Sequence, residues 1–314
     1  MTADRWKKLL SRVLVRDRGY ALILGVGFVY SIAVSVIPLF RAVPCFPLQL
    51  LVWVLILLLY IDNGIPDTVK RWFFYVFLTL SYQSLRSVVV TYAMEFHGRG
   101  IAAFEAELFG RLPSEILQNL LYTRGQTAWY DAAFAVLHAS LFALPILAPL
   151  VVLLLRGKER MKRATVAFVL LSLAGYLTYV LFPVTPPWMA SLEGFVPPLD
   201  RVVFSALREI TNPWLASAFQ PSPRGAMPSL HTAVPFLMLL VFRRELGRKA
   251  LWISVYVAAI CFEIVYGAEH YVLDIVAGIA YAILAYWLVY RVLYPDERLQ
   301  ERAPEIGERK PQHD

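Results

Sequence analysis

Eight apolar runs, separated by charged or proline-rich segments, leave this chain little choice of fold. They extend from Tyr20 to Leu39, Phe46 to Ile61, Trp72 to Met94, Trp129 to Leu155, Ala164 to Phe182, Pro228 to Phe242, Ala250 to Gly267 and His270 to Leu293. The second and sixth are short. A helix needs about 17–25 apolar residues to cross a bilayer core, where every backbone polar group must be paired within its own segment. With 59% hydrophobic and 17% charged residues, against about 45–50% and about 25% in soluble domains, the chain has too much apolar surface for a water-facing exterior. The expected fold is all-α, a polytopic transmembrane helical bundle of about eight spans: a six-helix core and two N-terminal helices. The net charge of +7 is then a matter of topology, and no nucleic-acid partner is expected.

The basic residues test this arrangement, because cytoplasmic loops collect Lys and Arg. With the N-terminus inside, the inner segments hold 22 of the 30 Lys and Arg and the outer segments 7, while Arg86 falls within a span. Every lysine lies inside. The expected organisation is a cytoplasmic segment and two accessory membrane helices over residues 1–71, a membrane core over 72–294, and a disordered cytoplasmic tail over 295–314. The first apolar run exceeds the roughly 7–15 residues of a signal-peptide core and no small-residue cleavage site follows, so it reads as a retained span. Cys45 and Cys261 make neither a disulfide framework nor a thiolate metal site, and no cofactor is expected.

Two outer loops are large. Between Glu95 and Thr127, Phe104, Leu108, Phe109, Leu112, Ile116, Leu117, Leu120 and Leu121 recur at near-helical spacing, which predicts short amphipathic helices at the interface, interrupted at Pro113. Between Pro183 and Met227, eight prolines with Trp188 and Trp214 predict turns along the membrane surface.

The informative residues are polar groups where polarity is costly. His231 opens the sixth run behind Met227-Pro228-Ser229-Leu230, and His270 opens the eighth with Asp274 at i+4. That spacing brings a carboxylate to one imidazole nitrogen and leaves the other as a nucleophile. Such a set suits phosphoryl transfer, in which a histidine attacks phosphorus, an acid protonates the departing oxygen, and cations with helix-end amides hold the phosphate oxygens. The topology puts His231, His270 and Arg224 at one outer boundary, with Arg86 in the same half of the membrane. His138 is a further candidate for substrate binding, with Asp131 seven residues before it, and Glu263 and Tyr266 are supporting groups.

Pro228-Ser229-Leu230-His231 followed by His270-Tyr271-Val272-Leu273-Asp274 resembles the second and third signature motifs of the type 2 phosphatidic acid phosphatase superfamily. Gly175 to Tyr179, Phe182-Pro183, Thr185 to Trp188 and Tyr82-x-x-x-Arg86 resemble its inositol phosphorylceramide synthase-like branch. The resemblance implies a helical bundle with a phosphohistidine intermediate, an enzyme acting on a lipid phosphate or phospholipid headgroup. In it His270 is the nucleophile, Asp274 its orienting partner, His231 the general acid and then base, and Ser229 a phosphate ligand. The hydrolase branch's first motif, a lysine followed by an arginine, is missing, and Ile264 stands where that branch carries a further arginine. The phosphate clamp is therefore expected from Arg86 and Arg224. Transfer to an alcohol acceptor and hydrolysis use the same residues and both stay open, and the rival class is a non-catalytic channel or transporter using the same polar groups.

Overall fold

The computed structural model describes residues 97–211 and 225–295. The first three apolar runs, Arg86, Arg224 and nearly all of the tail lie outside the described residues. Within them the chain is helical, with a single isolated bridge between Val184 and Gly225. Two short helices, α1 (Arg99–Phe109) and α2 (Pro113–Leu121), precede α3 (Trp129–Ser140), α4 (Leu144–Arg156) and α5 (Lys158–Leu181). After α6 (Pro187–Leu192) and α7 (Val202–Ile210) come α8 (Leu230–Leu246), α9 (Ile253–Tyr266) and α10 (Val272–Trp287).

Two helical runs are long and apolar enough to cross a bilayer, Leu230–Tyr266 and Val272–Leu293, with a third if the α3–α4 pair is counted as one span. The first run folds back on itself. Thr232 Oγ1 and Cys261 Sγ are 29 residues apart in sequence yet 3.8 Å apart in space, whereas a straight helix would separate them by about 43 Å. The reversal lies at Gly247–Trp252, where Gly247 takes a φ of +69°. The run thus covers the predicted sixth and seventh segments, while the total of about eight spans reaches beyond the described residues.

The predicted fourth run is not continuous, for α3 and α4 meet at a 62° bend. Pro145 has no N–H, and in a regular helix its ring would strike the carbonyl of Leu141. The backbone tightens instead, with Leu141, Phe142 and Ala143 N–H donating to the carbonyls of His138, Ala139 and Ser140. The predicted break at Pro113 is present, and this residue begins α2, where a missing N–H costs nothing.

The core lies between α4, α5, α8 and α10, with Phe168, Leu171, Leu237 and Ala282 fully enclosed. On α10 the inward face holds Asp274, Ile275, Gly278, Ala282 and Ala285. Its outer stripe holds Val276, Ile283, Leu284 and Trp287, all exposed. Small residues facing other helices and large apolar ones facing outward is the pattern of a bundle solvated by lipid.

Gly278 marks the tightest crossing. A methyl group there would collide with the Ser229 carbonyl oxygen, which is backbone and has no freedom to retreat. Gly278→Ala should push α10 from the start of α8 and destabilise the protein by about 1–3 kcal/mol. Thermal unfolding of the detergent-solubilised variant would measure this, and an unchanged melting temperature would show that the crossing is looser than described.

Candidate active site

The site forms where α8 and α10 begin. Ser229 caps α8, its Oγ accepting from the Thr232 N–H at 3.3 Å, and this sets His231 in the first turn. The segment before it is pinned by the Tyr179 hydroxyl, which donates to the Pro228 carbonyl at 2.7 Å, and the Met227–Pro228 peptide is cis. His270 stands two residues before α10, so it projects from a turn rather than from the helix as its spacing predicts. Asp274 nevertheless reaches it because the carboxylate folds back over the helix start. Its Oδ2 accepts from the Tyr271 N–H at 2.9 Å and lies 3.3 Å from His270 Nδ1.

The turn that presents His270 is held by backbone bonds. The carbonyl of Ile264 accepts from both Glu269 N–H and His270 N–H, at 2.9 and 3.1 Å. Ala268 takes a φ of 57°, and its carbonyl accepts from the Trp188 N–H at 2.9 Å. An alanine in the left-handed region is costly, so the surrounding contacts must over-determine it.

Three imidazoles meet here. His231 Nδ1 lies 2.9 Å from His270 Nε2, and the ring of His138 is centred 4.7 Å from that of His231. On its far side His138 Nδ1 is 2.9 Å from Glu263 Oε1, and both residues are buried. The order across the bundle is Glu263, His138, His231, His270, Asp274. The Asp131 partner suggested for His138 by sequence is engaged elsewhere, accepting from the Ala128 N–H and the Tyr266 hydroxyl.

With a carboxylate fixing the proton at Nδ1, His270 keeps a lone pair on Nε2, the arrangement of an oriented nucleophile. His231, hydrogen-bonded to that nitrogen, is placed to carry a proton to or from a group bonded there. A cavity of about 580 Å³ runs along α1, lined by Ala102, Ala106, Arg111 and Phe195, and none of the three histidines is in its wall.

The sequence pattern of the PAP2 superfamily matches residues 99–288, which takes in both helix starts and all three histidines. The chain belongs to the PAP2 superfamily. It is 26% identical over 207 residues to the phosphoinositol dihydroceramide synthase of Bacteroides thetaiotaomicron, an alignment covering 61% of this chain and 66% of that one. It is 28% identical over 133 residues to the inositol phosphorylceramide synthase catalytic subunit of Schizosaccharomyces pombe, covering 40% of this chain and 32% of that one. The chain therefore spans just under two thirds of the first relative and about a third of the second. No solved structure matches it significantly.

This PAP2 centre also contains residues that the motifs do not mark. Arg201 grips Glu269 beside His270. Gln118 of α2 ties the outer loop to the end of α9, its Nε2 donating to the carbonyls of Asp200 and Tyr266. Glu105 of α1 accepts from the Leu273 N–H at 2.7 Å, at the start of the helix that carries Asp274. The amphipathic pattern of α1 conceals Glu105, because the large residues Phe104, Leu108 and Phe109 face outward and the buried face is Ala102 and Glu105. A charged residue next to His270 was the one available sign of Glu269.

Burial pushes the Glu105 carboxyl up to about 7; the Leu273 and Val272 N–H groups oppose this and the Asp274 charge adds to it. An acid raised above its unfolded value of 4.5 holds its proton more tightly in the folded chain. Its stabilising contribution is therefore complete below that value and is lost as pH rises to about 7, a change on the order of 3 kcal/mol. Glu105→Gln keeps an oxygen for Leu273 but does not titrate. Its melting temperature should fall less than the wild type's between about pH 5 and about pH 8, and equal falls would mean that Glu105 is not held as described.

Proposed function

We propose that the chain is an integral membrane enzyme that transfers a phosphate-bearing headgroup from one lipid to an alcohol acceptor through a phosphohistidine at His270. The observation that carries this reading is the contact series from Asp274 through His270 to His231, in a chain of the PAP2 superfamily. The two relatives are named as a phosphoinositol dihydroceramide synthase and an inositol phosphorylceramide synthase subunit, which supports a phosphoinositol donor and a ceramide-type acceptor here. Phosphatidylinositol is the donor to test first, with water as the competing acceptor. The channel or transporter alternative has no comparable support.

In the first half-reaction His270 Nε2 attacks phosphorus and the bond to the lipid oxygen breaks. That oxygen takes the proton from His231, and the headgroup stays bonded to His270. In the second, His231 removes the proton from the acceptor hydroxyl, its oxygen attacks phosphorus, and the P–N bond breaks to restore His270. The 2.9 Å between His231 Nδ1 and His270 Nε2 leaves no room for phosphorus, so the two rings separate when substrate enters. Ser229, whose hydroxyl keeps a proton to donate while its oxygen caps α8, contacts a phosphate oxygen. His138, fixed by Glu263 and packed against the ring of His231, is a further substrate contact once the rings have parted. Arg86 and Arg224 supply charge to the phosphate. The charge distribution along the sequence supports a centre at the outer face with both termini cytoplasmic.

Purified protein should convert labelled phosphatidylinositol and ceramide to the labelled transfer product. His270→Ala should lower turnover by at least about 10³-fold with membrane insertion unchanged. His231→Ala should lose about 10²–10⁴-fold, but less with donors that have good leaving groups, and should accumulate label on His270 for want of a base. Near-normal turnover in His270→Ala would end the phosphohistidine reading. A second comparison concerns the clamp: Arg86→Lys keeps the charge but loses the fork that matches two phosphate oxygens, and should impair turnover more than Arg224→Lys. Equal, small effects would remove Arg86 from the site.

A further inference from the structure

A phosphoryl group in transfer carries negative charge on its equatorial oxygens, and this PAP2 centre lacks the arginine that Ile264 replaces. Arg201, just ahead of α7, is a cation that reaches the turn carrying His270. Its side chain is 11% exposed, and Nε and Nη2 donate to Glu269 Oε1 and Oε2 at 2.5 and 3.1 Å. Glu269 adjoins His270. The guanidinium carbon sits 4.6 Å from the Trp188 ring centre and 4.2 Å from that of Phe204. Trp188 is itself fixed to the His270 turn through its N–H to the Ala268 carbonyl.

Carboxylate and rings together fix the orientation of the guanidinium in advance, and they use only the edge carrying Nε and Nη2. Nη1 has no hydrogen bond among the described residues and remains available as a donor. Through Glu269 the guanidinium is tied to the residue that directly precedes His270.

We propose that Arg201, which belongs to none of the motifs, is a catalytic residue that binds a non-bridging phosphate oxygen through its Nη1 edge while Glu269, Trp188 and Phe204 hold it in place. The proposal rests on the reading of the centre as a headgroup transferase. It assigns the missing arginine's work to a different element, reached from the outer loop rather than from α9. A fork held on one edge by a carboxylate offers its other edge in fixed geometry, which a lysine does not reproduce.

The rival explanation is that Arg201 only staples the His270 turn, and a charge exchange separates the two. The proteins to compare are wild type, Arg201→Gln, Arg201→Lys, and the double exchange Arg201→Glu with Glu269→Arg. Each is assayed for transfer from labelled phosphatidylinositol to ceramide, for inhibition of that transfer by orthovanadate, and for thermal unfolding. Arg201→Gln should lose about 10²–10³-fold in kcat/KM, and its inhibition constant for vanadate should rise by at least about tenfold. Arg201→Lys should fall between it and wild type. The exchanged pair should unfold near the wild-type temperature yet turn over no faster than Arg201→Gln.

Recovery of turnover in the exchanged pair to within about threefold of wild type would overturn the proposal and make Arg201 a staple. So would unchanged vanadate inhibition in folded Arg201→Gln, a measurement that decides even if the exchanged pair does not fold. A wild-type protein that neither transfers the headgroup nor responds to vanadate would overturn the transferase reading and this role with it. An active wild type beside an equally active Arg201→Gln would overturn this role alone.

Discussion

Asp274 is the residue on which the rest of the centre depends. One carboxylate oxygen accepts from the Tyr271 N–H and faces His270 Nδ1, so the same atom ends the turn and orients the imidazole. Its carbonyl accepts from the Ser229 N–H at 2.9 Å, which joins the starts of α8 and α10 by backbone alone. Gly278, one turn further along α10, lets the two helices come that close. Any side chain at 278 would force apart the backbone contact that aligns the histidines.

Around this junction the outer elements act as braces. α1 reaches it through Glu105 to the Leu273 N–H, α2 through Gln118 to the Tyr266 carbonyl, and α6 through the backbone N–H of Trp188 to the Ala268 carbonyl. Each brace uses a buried polar group on a backbone donor or acceptor that the helix ends leave unpaired. The outer layer therefore fixes the His270 turn, with its left-handed Ala268, more than it shields it.

The parts of this arrangement that were legible in the sequence are those set by short-range chemistry. Pro113 reads as a break between two short helices and Asp274 as a partner of His270, and the structure has both, whereas the capping of α8 by Ser229 was not read from the sequence. What was not legible depends on which face of a helix turns inward. In water the large apolar side chains of α1 would define its buried face, but in a lipid-solvated bundle Phe104 and Leu108 turn out and Glu105 turns in. The same reversal hid Glu263 as the partner of His138, because the two lie 125 residues apart and only the packing of α3 on α9 unites them. The fourth apolar run read as one helix because hydropathy does not register a missing N–H at Pro145.

The meeting of two helix starts has an electrical consequence. Peptide dipoles align along each helix and place roughly half a positive charge at its N-terminus, and α8 and α10, of 17 and 16 residues, both begin at the histidines. Asp274 and Glu105 offset part of this field, but the backbone's share neither titrates nor disappears when a side chain is replaced. A fixed component of the attraction for an anion thus persists at any pH at which the helices survive, and substitutions at the surrounding arginines subtract from that floor without abolishing it.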